Sequence, residues 1–373
     1  MKYIWQLKDW PHFTWHDQEI LKIIGKARFE QGKLLSKLET IGINKFQESQ
    51  AEILIEEAVK TSEIEGHLLN RESVRSSVIR RLGLIPDENT APLDRYAEGL
   101  LDLINDATAN FKECLTSIRL QSWQRALFPT GYSGLRKIYT KGWRQSKEPM
   151  QVVSGPVGKE KVHFEAPPSN KINSEIKKFL SWFENDSKET DGLLRAGIAH
   201  LWFVTIHPFD DGNGRIARAL CDMALAQDEN MSNRFYSLSS VIMSNRNSYY
   251  QILESSQKGT LDITPWLIWF CEIFIKAVKN AEDLIENILL KSKFWQKHYQ
   301  TELNDRQKKV INRLLDKGPG GFEGGLTTKK YVAMTKASRA TAFREISDLQ
   351  EKGILIQTNS SGRNVSYDIN WNI

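Results

Sequence analysis

The chain has few cysteines and no hydrophobic run long enough to span a bilayer. Cys114, Cys221 and Cys271 are scattered and odd in number, with no metal-type spacing, which argues against a disulfide framework. The opening stretch Met1-Lys2-Tyr3-Ile4-Trp5-Gln6-Leu7-Lys8-Asp9-Trp10 lacks an apolar h-region. Neither a secretory leader nor a membrane span is therefore expected, and the expectation is a cytoplasmic protein. Charge of one sign is also scarce: 51 Lys and Arg stand against 46 Asp and Glu, a formal net charge of +5. That is mild for 373 residues, so any nucleic-acid contact has to rest on a local patch. What remains, 40% hydrophobic and 26% charged, is an ordinary globular composition, and the length favours two or three domains with an ample core.

One stretch concentrates chemistry: His207-Pro208-Phe209-Asp210-Asp211-Gly212-Asn213-Gly214-Arg215-Ile216-Ala217-Arg218. An apolar run ends just before it and a helical periodicity begins inside it, which predicts helix, tight loop, helix. Gly212 and Gly214 permit backbone conformations that let successive N–H groups form an anion nest. The second helix adds its unpaired N–H groups and the positive end of its dipole. Arg215 and Arg218, three apart, share a face. The stretch reads as a polyphosphate site.

These residues resemble the His-Pro-Phe-x-Asp-Gly-Asn-Gly-Arg-x-x-Arg signature of Fic proteins, with every position filled. Most Fic proteins transfer AMP from ATP to a hydroxyl on a target protein. The resemblance implies His207 as the base that takes the hydroxyl proton and Asp211, not Asp210, as the ligand of Mg²⁺ or Mn²⁺. It implies Gly212, Asn213 and Gly214 as phosphate holders, and Arg215 and Arg218 on the β- and γ-phosphates of the co-substrate ATP. Phe209 is expected to anchor the loop in the core.

The rest of the chain acquires meaning beside that signature. The N-terminal aromatics Trp5, Trp10, Phe13 and Trp15 read as packing residues ahead of a helix over 17–38. A second helical pattern, 46–59, runs into Thr61-Ser62-Glu63-Ile64-Glu65-Gly66. Alone this is a helix end with a glycine C-cap, and its acid is mildly unfavourable against the helix dipole. It also fits the Fic inhibitory motif Ser/Thr-x-x-x-Glu-Gly/Asn. The resemblance then implies that Glu65 pairs with Arg218 and keeps it from the γ-phosphate. A turn-rich break at 86–92 precedes helices over 93–110 and 118–127. Residues 151–165 read as a hairpin around Gly155-Pro156-Val157-Gly158. In Fic proteins such a flap holds a target segment by strand addition, which here implicates Val152, Val153, Ser154, Val162, His163 and Phe164. Helices over 170–184 and 191–205 lead to His207. Further on, Ser244 to Tyr250 is similar to a family stretch whose residues approach the adenosine. Asn245, Tyr249 and Tyr250 are candidates there, the two tyrosines equally readable as core aromatics.

One or two apolar helices over 265–297 lead to a different pattern: helices at 303–315, 328–334 and 338–351, then strands 354–357 and 365–369. This order resembles a winged helix-turn-helix. Arg339, Thr341, Arg344 and Arg363 are its candidate DNA contacts. Between 301 and 373 twelve Lys and Arg face eight Asp and Glu, but Glu345, Asp348 and Glu351 lie on the same helix, so dimerisation or partner docking stays open.

The expected fold is mainly α: a Fic-type helical core with a β-hairpin flap (89–285), an N-terminal helical domain (1–88) carrying the motif at 61–66, and an α+β winged helix-turn-helix after a linker helix (286–373). The expected function is self-inhibited transfer of AMP to a Ser, Thr or Tyr hydroxyl of an unidentified target protein, or of the chain itself, with release of pyrophosphate. The alternatives are removal of AMP from a modified protein and a nucleotide-sensing DNA-binding regulator. A homodimer is common among the resembling proteins.

Overall fold

The computed structural model describes residues 2–40, 43–84, 91–155, 161–359 and 365–372. Most of the 86–92 break, the flap tip after Gly155 and the candidate DNA contact Arg363 lie outside the described residues. The chain forms two compact units, residues 1–281 and 282–373. The expected N-terminal helical domain falls in the first, as does the expected catalytic core up to residue 281.

The first unit runs through α1 (Asp17–Thr40), α2 (Ile43–Ile64), α3 (Arg71–Arg81), α4 (Arg95–Ala109), α5 (Ser117–Leu127), the short strands β1 (Tyr132–Ser133) and β2 (Arg136–Lys137), and the flap strands β3 (Gln151–Ser154) and β4 (Lys161–Glu165). It continues through α6 (Ile172–Glu184), α7 (Gly192–Ile206), α8 (Asn213–Glu229), α9 (Leu238–Ser244), α10 (Arg246–Lys258) and α11 (Thr264–Lys297). The stretch read as one or two helices is the single helix α11, and the division between the units falls within it. Helix α3 was not legible: its surface is polar, and only the i, i+4 pair Val74 and Val78 supplies a buried apolar stripe. Asn70 caps it by accepting from the Ser73 amide at 3.0 Å, a cap of the preferred kind.

Helix α7 is the axis of this unit, with every side chain buried. A helix apolar all round has to be central. Its one internal cation, Arg195, donates to Ser187 Oγ at 2.7 Å, Gln227 Oε1 at 2.6 Å and the Phe183 carbonyl at 2.8 Å, so its burial is matched by acceptors. Helix α8 packs along α7, and α4 and α5 flank α8. The N-terminal aromatics join this core: Trp10 meets Phe13 and Trp202 edge-on, with ring centroids 5.4 and 6.1 Å away. Trp10 Nε1 donates to Glu175 at 2.7 Å.

The second unit contains α12 (Asp305–Leu315), α13 (Thr328–Thr335), α14 (Arg339–Glu351) and the antiparallel pair β5 (Leu355–Asn359) and β6 (Ser366–Ile369). Tyr367 also bridges Leu326, adding a third short segment to the pair. Val310, Leu314, Tyr331, Ile346, Leu349 and Ile369 form its core. Ser338 caps α14 as expected, accepting from the Thr341 amide at 3.1 Å.

The approach of α4 to α5 positions the loop after α7. A Cβ on Gly99 would lie 1.8 Å from the Ala126 carbonyl oxygen, and the next residues, Leu127 and Phe128, back Gly212. Gly99→Ala is expected to destabilise the first unit by about 1–3 kcal/mol, the usual cost of overpacking. Thermal unfolding at several scan rates measures it; an unchanged Tm would mean that the two helices separate freely.

Candidate active site

The signature loop opens at His207, the C-cap of α7, in a left-handed conformation with φ 51°. Its amide still closes the helix onto Phe203 O at 3.0 Å. Phe209 is fully buried, 4.9 Å from the Trp143 ring, and anchors the loop. Asp210 Oδ2 accepts from the Tyr139 amide at 2.9 Å, so this acid is used structurally. Gly212 has φ 91°, which favours glycine. Asn213 staples the loop: its Oδ1 accepts from Phe209 N at 3.0 Å and its Nδ2 donates to Phe209 O at 2.8 Å. The expected phosphate role of its side chain thus gives way to holding the backbone. The Gly212 amide is likewise taken, by Asp211 Oδ1 at 2.5 Å. The open donors are the amides of Asn213, Gly214 and Arg215, the first turn of α8, which have no acceptor within the helix.

Asp211 also accepts from Ser133 Oγ on β1 and lies 3.7 Å from Arg215 Nη2. Among the described residues no three His, Cys, Asp or Glu converge on a metal position. A lone carboxylate beside a phosphate site fits Mg²⁺, which keeps several waters and takes its remaining ligands from phosphates.

The two arginines are placed differently. Arg215 is buried over the Phe128 ring, 4.9 Å from its centroid, and its Nε and Nη2 have no hydrogen-bond partner. Burial lowers its pKa, partly countered by Glu65 and Asp211. A buried guanidinium with unmet donors is costly, and an oxyanion would satisfy it. A cavity of about 260 Å³ opens beside it, lined by Ser62, His67, Tyr96, Phe128 and Ser133 among others. Arg218 is held: Nε donates to Thr61 Oγ1 at 2.6 Å, and Nη2 donates to Thr61 O at 2.9 Å and Glu65 Oε1 at 2.8 Å. Burial is the largest influence on this cation and works against it, but Glu65 together with Tyr249 and Tyr250 outweighs it and the pKa is raised. Gly214 makes room for the contact, since a Cβ there would meet Glu65 Oε1 at 2.2 Å.

Helix α2 delivers Glu65 by ending where it does. Gly66 has φ 82°, and the His67 amide returns to Ser62 O at 3.0 Å, a glycine-terminated helix end. The Ile64 carbonyl accepts from Arg246 Nε at 2.9 Å and the Tyr250 hydroxyl at 3.2 Å. Two arginines and a hydroxyl thus satisfy terminal carbonyls and offset the unfavourable acid. Tyr250 therefore sits against the end of α2. Tyr249 is a core aromatic, buried, stacked on Trp269 at 5.7 Å and bonded to His200 Nε2 at 2.8 Å. Asn245 turns back to Val241 O at 2.8 Å.

The flap strands pair antiparallel, with Val152 opposite Phe164, Val153 opposite Val162, and a bulge between Val152 and Val153. Val153 and Val162 are exposed. Phe164 is buried, 5.2 Å from the Tyr3 ring, so its side chain packs inward. His163 Nδ1 pairs with Glu254 on α10 at 2.6 Å. Arg144 escaped the sequence reading altogether; it donates to the carbonyls of His207, at 2.8 Å, and Pro167.

His207 is half-buried, with Nδ1 3.3 Å from Val204 O. A carbonyl there assigns the ring proton to Nδ1 and leaves Nε2 as the basic lone pair. Burial, then the Arg144 charge, pushes its pKa down to about 4, against smaller upward effects of Val204, Asp211 and Glu65.

Comparisons with known proteins place this loop within a known domain. Residues 114–225 match the Fic/DOC family, and residues 3–84 match a domain of unknown function, DUF4172. The chain is 30% identical over 121 residues to a probable protein adenylyltransferase of Aquifex aeolicus, covering 32% of each chain. It is 29% identical over 126 residues to a protein adenylyltransferase of Caenorhabditis elegans, covering 31% of this chain and 23% of that one. It therefore spans a third or less of these curated relatives. A Fic family protein of Desulfovibrio desulfuricans G20 shares the fold, with a TM-score of 0.54 at 17% identity over 99% of this chain and 98% of the other. Residues 114–225 of the chain thus form a domain that matches the Fic/DOC family.

A neutral His207 has a testable consequence. Its folded pKa is depressed below the unfolded value, so its contribution to stability is complete above about 6.5 and is lost as pH falls towards about 4. Nitrogen-15 histidine NMR is expected to show the His207 ring neutral at pH 5.5. A midpoint near 6.5 would contradict the site electrostatics.

Proposed function

We propose that the protein transfers AMP from ATP to a Ser, Thr or Tyr hydroxyl of a protein, its own chain included, and that the contact between Glu65 and Arg218 restrains the reaction. The observation that carries this reading is the pair of buried arginines on one face of α8. Arg215 has unmet donors at Nε and Nη2, and Arg218 is occupied at Nε and Nη2 by Thr61 and Glu65, with Nη1 left unmet. In the productive arrangement Arg215 and the amides opening α8 hold the phosphates, and Arg218, once released, takes the γ-phosphate. His207 Nε2 removes the proton of the target hydroxyl. The hydroxyl oxygen bonds to the α-phosphorus as the bond to the bridging oxygen breaks, and pyrophosphate leaves. A divalent cation held by Asp211, Mg²⁺ or Mn²⁺, supplies charge neutralisation for that leaving group. The free edge of the two-stranded flap presents the target segment by strand addition.

ATP labelled at the α-phosphate tests this. Label retained on protein after denaturation is expected to rise by roughly ten- to a hundredfold in Glu65→Gly, the scale of one freed charge-assisted contact. It is expected to vanish in Glu65→Gly/His207→Ala. Silence in all variants, with release of AMP from pre-modified protein by the wild type, would favour the reverse reaction.

A second reading concerns the C-terminal unit, which we read as a winged helix that contacts duplex DNA. Two of the acids that counted against this are engaged within the unit: buried Glu345 accepts from Asn304, Arg306 and Tyr331, and half-buried Asp348 from Gln307 and Lys352, while Glu351 is exposed. The exposed side of α14 carries Arg339, Phe343 and Arg344, with Thr341 half-buried at its start. Duplex binding is expected to weaken steeply with salt, and Arg339→Ala/Arg344→Ala should flatten the slope by about two units. Binding indifferent to both would leave the face to a protein partner.

A further inference from the structure

His207 is a non-glycine residue at φ 51°, a conformation that side-chain-bearing residues adopt only at a cost. Such a residue persists only where its surroundings over-determine it. Its amide is fixed by α7, but its carbonyl and that of Pro208 point away from the helix and need other donors. Arg144 supplies both. Its own backbone amide donates to Pro208 O at 2.9 Å, and its Nε donates to His207 O at 2.8 Å. The same guanidinium reaches across to Pro167 O, two residues beyond the end of β4. The neighbouring Trp143 packs on Phe209, so residues 143 and 144 line the signature loop from outside.

Arg144 is 3% exposed, and no carboxylate hydrogen-bonds to it among the described residues; its side-chain acceptors are the two carbonyls. Burial pushes its pKa down to about 10. A cation buried without a bonded carboxylate contributes little to stability for its desolvation cost. A planar fork that spans two carbonyls on separate segments does what a neutral side chain or a lysine cannot.

We infer that Arg144 is a positioning residue that sets the distance between the His207 base and the target hydroxyl carried on the flap, by tying the base loop to the flap's exit strand through one guanidinium. This rests on the transfer reading above. It assigns Arg144 no contact with nucleotide, so its loss lowers turnover and leaves ATP binding intact.

The test compares Arg144→Gln and Arg144→Lys in the Glu65→Gly background, with folding checked by circular dichroism. Turnover to label is expected to fall by roughly a hundredfold in Arg144→Gln, the penalty of a misplacement of about 1 Å, with the KM for ATP within about twofold. Arg144→Lys, which keeps the charge but reaches one carbonyl, is expected to recover part of the loss, and it carries the comparison if the glutamine variant does not fold. Histidine NMR adds a reading independent of activity. The His207 midpoint should move up from about 4 in Arg144→Gln and stay low in Arg144→Lys. A folded Arg144→Gln protein with parental turnover, or a parallel rise in KM, overturns the inference. Should the Glu65→Gly parent carry no label, the transfer reading fails by itself; a His207 resonance unmoved by Arg144→Gln would then overturn the positioning role as well.

Discussion

The Arg218 guanidinium is the point on which the first unit turns. It is buried between α8 and the end of α2, and it makes two bonds to Thr61 of α2 and one to Glu65 just beyond it. A cation in that position cannot be left without acceptors. Here a carboxylate of the chain meets its Nη2; an anionic ligand is the alternative. The end of α2 is built to be the first of these. Thr61 offers a hydroxyl and a carbonyl, Glu65 a carboxylate, and Gly66 turns the chain so that Glu65 lies over Gly214. The helix end is itself held by Arg246 and Tyr250 on α10.

A chain of short connections ties this pair to the rest of the site. Helix α10 carries Arg246 and Tyr250 against Ile64, and one turn later Glu254 against His163 of the flap. Arg144 joins the flap exit to the base loop, and Ser133 joins β1 to Asp211. Each catalytic candidate is therefore fixed by a side chain from a different element. That pre-organisation suits a reaction in which positioning and charge stabilisation supply most of the rate.

The sequence made the local features legible and left the distant ones hidden. The helix, loop and helix around His207, the flap strands and the helix end at Gly66 follow from periodicity, glycine placement and turn chemistry, and the structure has them. The pairing of Glu65 with Arg218 spans 153 positions and came only from resemblance to a family. Helix α3 was missed because its stability comes from two valines and a cap rather than from a stripe. Tyr249 and Tyr250 are adjacent and chemically alike, yet one is core and the other touches the end of α2; helical phase alone separates them. Asn213 sits in the signature as a phosphate holder would, but its amide matches the Phe209 backbone on both sides. Arg144 had no motif of its own to mark it. Glu345 and Asp348 of α14 looked like part of a repulsive face until their partners, 14 to 41 positions away or one turn off, were in view.

The central claim is that Glu65 acts by occupying Arg218. The most direct measurement is a pair of crystal structures, wild type and Glu65→Gly, each with Mg²⁺ and an ATP analogue that cannot be cleaved between the α- and β-phosphates. The account predicts that in Glu65→Gly the γ-phosphate lies on Arg218 and the α-phosphate faces His207 Nε2. In the wild type it predicts that Arg218 stays on Glu65 and the α-phosphate is turned away. The same phosphate pose in both crystals, with Arg218 on the nucleotide in each, would contradict it.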